Sequence, residues 1–345
     1  MRSLSVRAGL LVPALLVALL LAVCLAVAVG SVSLPLSQVG GILAEPVLPW
    51  LIEPEWTRVR EAIVWESRMP RVATAVVVGA ALAVAGALAQ TVTANPMADP
   101  YLLGVSQGAG LAVSILTVFG LGAGLAGYAT LPVAAFLGGL LALAAVIAVA
   151  GRFGSVTALI LGGIAVGQIA SALMTVVLYT AENSGQVAQV MFWMTGGLGS
   201  ARWELLAVPA AVLVVGLVAA VAMGRWLDLL HAGDDAAAAS GVDARTVRVL
   251  SLVGVSLVAG TAVAISGGIG FVGLLVPHAA RFLVGGGARK LLVTSALLGA
   301  VFLVLADLAA RTVVAPSELP VGVLTALVGG PVFLLMLARR RHPVW

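Results

Sequence analysis

Arg68-Met69-Pro70-Arg71 leads into an apolar run that ends at Gln90, and the chain then breaks at Asn95-Pro96-Met97-Ala98-Asp99-Pro100. Apolar sequence resumes at Tyr101-Leu102-Leu103-Gly104-Val105-Ser106. The first run has about 20 residues, the length a helix needs to cross a hydrocarbon layer. Prolines at both ends of an acidic turn stop one helix and allow another to start. Two apolar helices joined by a short polar turn make a membrane hairpin, and Asn95, Pro96, Asp99 and Pro100 are its structural turn.

Composition extends that reading to the whole chain. Of 345 residues, 62% are hydrophobic and 9% charged, and the mean hydropathy is +1.18. Soluble domains carry roughly 25% charged residues. Backbone polar groups in lipid must bond within their own segment, so the apolar runs are helices. The fold class is all-α, a polytopic membrane protein, with spans near 10–29, 71–90, 102–121, 130–150, 157–179, 205–223, 247–265, 271–284, 291–310 and 321–337. The eighth run is short and bracketed by glycines, which marks a tilted or broken helix. Arg2 and Arg7 ahead of a long apolar run indicate a retained first span rather than a signal peptide, whose apolar core is about 7 to 15 residues.

The cations set an orientation. With the amino terminus inside, twelve Lys and Arg fall on the inner side and six on the outer side, Arg58, Arg60, Arg68, Arg71, Arg202 and Arg311. That bias puts both termini in the cytoplasm. The outer six run against it, and four share a loop with Glu53, Glu55, Glu61 and Glu66. Either these charges pair locally or they receive an acidic partner.

Similar segments run in opposite directions. Arg71 precedes Val78-Gly79-Ala80-Ala81-Leu82 and Gly86, while Arg248 precedes Val253-Gly254-Val255-Ser256-Leu257 and Gly260. Inverted repeats, about 68–180 and about 245–338, build pathways that open to each face in turn. Gly104 to Gly108 and Gly163 to Gly167 are G-x-x-x-G seams for close helix packing. Gly267, Gly268, Gly270 and Gly273 ahead of Pro277 predict an unwound turn near the outer face, lined by protein or water.

The longest hydrophilic inner stretch is about 226–247. Asp234 and Asp235 precede four alanines, so a short helix starts at the acids and ends at Gly241. Other chemistry is poorly supported. Gly104-Val105-Ser106-Gln107-Gly108 matches the hydrolase elbow G-x-S-x-G, with His278 as a formal base, but the elbow needs a strand before it. The three histidines are far apart, so no metal site is indicated. The single cysteine, Cys24, excludes an internal disulfide and reads as a small buried apolar residue. No phosphate-binding G-x-x-x-x-G-K-[ST] loop is present. Asp99, Asp307 and Glu318 sit at span ends, which argues against an intramembrane proton relay and hence against an ion-coupled carrier.

Seven motifs in order carry a family resemblance: Arg68 to Arg71, Asn95 to Pro100, Leu102 to Ser106, Gly233 to Val242, Gly267 to His278, Leu305 to Asp307, and Glu318 to Gly322. The chain resembles the permeases of the iron-siderophore, haem and cobalamin uptake family of ABC importers. The resemblance implies a ten-helix type II permease in the cytoplasmic membrane of a bacterium that works as a pair, with an identical or a sister copy. It implies two cytoplasmic ATPase subunits that bind ATP and Mg, none being bound by this chain, and a periplasmic or lipid-anchored substrate-binding protein, with no role for nucleic acid. Arg68, Arg71 and Arg311 match the positions that dock the binding protein. Leu230, Gly233, Asp234, Asp235, Ser240, Gly241 and Val242 match the segment that seats in the ATPase, although Ala236 to Ala239 replace bulkier or charged residues and Gly285-Gly286-Gly287 a more polar turn. Ser155, Val156 and Thr157 match the cytoplasmic gate. Ferric siderophore is the first expected cargo, with haem and cobalamin behind it.

Overall fold

The computed structural model describes residues 2–30, 34–50, 52, 54, 56–121, 127–150 and 156–338. In chain order the helices are α1 (Arg2–Ala28), α2 (Leu36–Ala44), α3 (Arg58–Ala62), α4 (Met69–Val92), α5 (Val105–Val118), α6 (Thr130–Ala150), α7 (Val156–Tyr179) and α8 (Ser184–Thr195). They continue with α9 (Trp203–Ala222), α10 (Gly224–His231), α11 (Asp234–Ala239), α12 (Ala244–Ser266), α13 (Val272–Val284), α14 (Ala288–Thr312) and α15 (Val321–Ala338). A π-helical turn, Ile63–Arg68, joins α3 to α4, and a 3₁₀ turn, Pro100–Leu103, precedes α5. No strand occurs among the described residues.

Among the described residues, seven helices are long and apolar enough to cross a membrane, and α5, α13 and α15 are shorter apolar helices, which matches the ten expected runs. Three details differ from expectation. The second span begins well before Arg71, because the π turn carries helix back to Arg58. The helices α2, α8 and α10 are additional; they are short or amphipathic, so no long apolar run announces them. The turn after α12 lies inside the bundle rather than at its face.

Helix α4 is the axis. Nearly every residue from Val72 to Val92 is buried, and α14, α12, α13, α9 and α10 surround it. Alanine and glycine on all sides let those neighbours reach its backbone, which is how helices associate where lipid is as apolar as leucine. A Cβ on Gly79 would collide with the Gly299 carbonyl of α14, and one on Gly299 would collide with the Gly79 carbonyl. Gly108 and Gly138 make the same reciprocal contact between α5 and α6.

The two short helices α5 and α13 have 14 and 13 residues, about 20 Å at 1.5 Å per residue, short of a core of about 30 Å. Each starts inside the protein. Gly104 (φ 73°) and Phe271 (φ 68°), both left-handed, immediately precede α5 and α13, so both short helices are entered through the same kind of backbone turn. The φ at Phe271 is strained for a residue with a side chain; its ring lies where a Cβ on Gly329 of α15 would be. Gly273 packs on Pro100 and on the Leu82 carbonyl, past the middle of α4. Gln90, fully buried, donates from Nε2 to the Gly273 and Leu274 carbonyls at 3.3 and 3.2 Å. Protein groups thus meet the backbone that these re-entrant turns expose.

Gly299→Val is expected to lower stability by about 1–3 kcal/mol or more through collision with the α4 backbone. Gly254→Ala, with open space at its Cβ position, should stabilise by about 0.5–1 kcal/mol. Thermal unfolding of the detergent-solubilised chain, followed by size-exclusion, checks both signs.

Candidate functional site

Two polar clusters stand at opposite ends of α4. At its start, Arg68, Arg71 and Arg311 come together as the sequence motifs require, but they are drawn inward. Arg68 is 5% exposed and Arg311 6%. Arg68 donates to the Val27 and Ala28 carbonyls at 2.5 and 2.9 Å, and Arg311 to the Ala26 carbonyl at 3.1 Å. The last carbonyls of a helix have no partner within it, and cations suit that end of the dipole. The two arginines therefore close the end of α1. Gly30 leaves room for the Arg68 guanidinium, which would lie 3.1 Å from a Cβ there.

Arg71 grips two acids. Its Nε donates to Asp307 at 3.0 Å, and its terminal nitrogens reach Asp307 at 2.9 Å and Glu318 at 2.8 Å. Arg311, one helical turn beyond Asp307, pairs with the other carboxylate oxygen at 3.0 Å. Asp307 is 1% exposed, whereas the Glu318 side chain is 46% exposed. Of these side chains Arg71 and Glu318 lie towards the surface, with Asp307 behind them. The sequence left open local pairing or an acidic partner for these residues; in the structure Arg71 and Arg311 pair with Asp307, and Arg68 and Arg311 meet α1 carbonyls, because carbonyls and an acid in an apolar bundle have no water to meet them.

At the far end of α4, α10 and α11 form an angle bracket. Leu227 and Leu230 of α10 are buried against the bundle. Asp228 accepts a 2.7 Å hydrogen bond from the Ala288 backbone N–H, capping α14 from a neighbouring helix. Gly224 packs on the Arg289 stem. Arg248 of α12 pairs with Asp234 at 2.7 Å and points its Nε at the Val92 carbonyl, the end of α4, at 3.5 Å. Gly233 (φ 114°) and Gly241 (φ 75°) bound α11 and permit its sharp entry and exit. Asp243 caps α12, accepting from the Arg245 N–H at 3.0 Å. The Thr246 hydroxyl, foremost, and that backbone bond hold its carboxyl below the ordinary aspartate range.

Of the seven residues matched to the ATPase-seating segment, Asp234, Asp235, Ser240 and Gly241 are exposed, Gly233 and Val242 are half-buried, and Leu230 turns inward. Of the gate residues, Ser155 lies outside the described residues; Val156 starts α7, and Thr157 is exposed in its first turn. The hairpin turn is held by its own side chains: Asn95 Oδ1 accepts from the Met97 N–H at 2.9 Å and Asp99 Oδ1 from the Tyr101 N–H at 2.8 Å. Ser106 sits in the first turn of α5, with Gly108 in the α6 seam, a packing context. No cluster of metal-ligating side chains is found among the described residues.

A family model described as the FecCD transport family matches residues 18–339. The chain belongs to the FecCD transport family. It is 42% identical over 279 residues to the hemin transport system permease protein HmuU of Yersinia pestis, covering 80% of this chain and 83% of that one. It is 40% identical over 289 residues to the vitamin B12 import system permease protein BtuC of Vibrio cholerae, covering 82% and 85%. A solved structure described as an inward-facing conformation of a metal-chelate type ABC transporter superposes with a TM-score of 0.83 at 28% identity, over 95% of this chain and 98% of that one. The all-α, ten-span FecCD architecture thus extends over nearly the whole sequence.

Sequence reasoning passed over Asp228 and Glu318 as site residues. Asp228 carries a signal in retrospect, a lone acid on the polar face of an amphipathic segment; Glu318 lies in a quoted motif but far from Arg71 along the chain.

Asp307→Ala removes the buried carboxylate that Arg71 and Arg311 share and is expected to cost about 3–5 kcal/mol. Glu318→Ala removes a half-exposed partner and should cost about 0–1 kcal/mol. Chemical or thermal denaturation of the two variants side by side checks the difference.

Proposed function

We propose that this chain is the membrane-embedded permease subunit of an ABC importer for metal chelates, working in a bacterial cytoplasmic membrane with both termini inside. The reading rests on one observation above all: a FecCD bundle whose central helix has an arginine–carboxylate cluster at one end and an anchored helix with exposed acids at the other. Energy enters through α11. A separate ATPase that binds ATP and Mg seats Asp234, Asp235, Ser240 and Gly241, and its movement reaches α4, α12 and α14 through Arg248 and Asp228. This chain performs no hydrolysis itself.

The exposed apolar faces of α7 (Leu161, Ile169, Val176) and α15 (Leu327, Leu334) suit a second permease copy, the remainder facing lipid and a central pathway. Small apolar walls suit cargo release, since a ligand held tightly by the wall would not leave. Ser155, Val156 and Thr157, at and just ahead of the start of α7 in the sequence, are the proposed cytoplasmic gate.

Docking of a substrate-binding protein falls to the arginine cluster in a specific way. Arg68 and Arg311 hold α1 and shape the cluster, while Arg71 meets the incoming acid. Glu318 occupies Arg71 in the free chain, and a partner carboxylate competes with it. In folded protein, Arg71→Gln is expected to weaken binding-protein affinity about tenfold or more, and Glu318→Gln to strengthen it about threefold, by titration in low salt. Equal affinities in both variants would remove the assignment.

Iron held by a siderophore is the first cargo. The names of the Yersinia and Vibrio relatives favour haem or cobalamin as the second reading. Vesicles holding this chain with its ATPase and binding protein should accumulate one of the three only with hydrolysable nucleotide, and concentration of cargo without the ATPase would overturn the importer reading.

A further inference from the structure

One side chain joins the turn before α5 to the turn before α13. Tyr101 follows Pro100 in the 3₁₀ turn before α5, and its hydroxyl reaches the turn before α13. There it donates to the Ile269 carbonyl at 3.0 Å and accepts from the Ile269 N–H at 3.2 Å. One hydroxyl thus satisfies both polar groups of one interior peptide residue, 168 positions away. Gly104 and Phe271, the left-handed residues that start α5 and α13, are the equivalent points of the repeats. Counting back three from each makes Gly268 the counterpart of Tyr101. One turn supplies a long side chain, and the other supplies none and leaves its backbone open.

Those turns are also the seats of α7 and α15. A Cβ on Gly163 of α7 would collide with the Leu102 carbonyl, and one on Gly322 of α15 would collide with the Thr195 carbonyl and lie 2.7 Å from that of Gly268. Each wall helix therefore rests, glycine against carbonyl, on one of the two turns that Tyr101 joins. Contact this close leaves no slack between turn and helix. If inverted halves exchange conformations to open a pathway alternately, the junction between their equivalent turns lies where the exchange displaces least, and it can persist through both states.

We propose that Tyr101 is a positioning residue for transport: its bridge to Ile269 makes the seats of α7 and α15 move as one unit, so that force arriving through α4 shifts both wall helices together. This rests on the importer reading above. Tyr101→Phe keeps the ring and removes only the bridge. Expected in that variant are unchanged expression and assembly, faster hydrogen exchange at the Ile269 amide, nucleotide hydrolysis near the wild-type rate, and cargo moved per nucleotide reduced about tenfold.

A merely structural tyrosine would lower hydrolysis and uptake together with folded yield, leaving their ratio unchanged. That result overturns the proposal, as does an Ile269 amide no faster than in the wild type. Should Tyr101→Phe fail to assemble, Tyr101→Gln, which keeps a donor and an acceptor, serves instead: a protected Ile269 amide with wild-type cargo per nucleotide supports the bridge, and an exposed amide with that same ratio overturns it. Absence of nucleotide-driven uptake by the wild-type complex is a separate failure, that of the importer reading, and it withdraws the role assigned to Tyr101 with it.

Discussion

A polar group inside an apolar bundle must find its partner in the protein, and Asp307 is where that constraint gathers most. One carboxylate holds Arg71 of α4 and Arg311 of α14, and Arg311 and Arg68 then reach the unpartnered carbonyls of α1. A buried ion network of this kind contributes little net stability over an apolar packing of the same volume, but losing one member is costly. Its value lies in register. Sliding α4 along α14 by one turn, about 5.4 Å, would separate Arg71 from Asp307 and also lift Gly79 off Gly299, so the ion pair and the glycine seam fix the same alignment.

The sequence made the lengths of the spans legible, because a hydrocarbon layer writes its thickness directly into apolar runs. The Asn95 to Pro100 turn and the helix that starts at Asp234 were legible from proline, acids and glycine acting locally. The pairing of Asp307 with Arg311 follows from a spacing of four on one helix. What lay beyond reach shares one property, long separation along the chain. Arg68 meets Val27 across 41 residues and Arg71 meets Glu318 across 247, and nothing local distinguishes an arginine that turns inward to carbonyls from one that faces solvent. The interior start of α13 was hidden for another reason. Glycine density announces an unwound turn, but its depth is set by α4, whose Gly86 lets Gly273 approach its backbone. The short helices α2 and α8 escaped because their apolar content is too brief to read as a span.

Two helices share both ends of the molecule. Helix α4 carries Arg71 of the charged cluster in its first turn and ends at Val92, where Arg248 reaches its carbonyl beside the α10–α11 bracket. Helix α14 begins at Ala288, capped by Asp228 of that bracket, and ends at Asp307 and Arg311 in the cluster. They have 24 and 25 residues, about 36 Å each, and the reciprocal Gly79 and Gly299 contact locks them backbone to backbone between their ends. Buried helices this tightly joined move as a rigid pair rather than bend independently. In the importer proposed above, a displacement at α11 would reach the arginine cluster through these two helices, and occupancy of Arg71 by an acid would act on the bracket through the same two rods. Reciprocity is then a matter of thermodynamics: whatever the far end does to the affinity at the near end, the near end must do in return. Gln90, near the end of α4, grips the start of α13, and Tyr101 joins the turn before α5 to the turn before α13. In the proposed importer, motion along the rods would in this way be turned sideways, into α7 and α15.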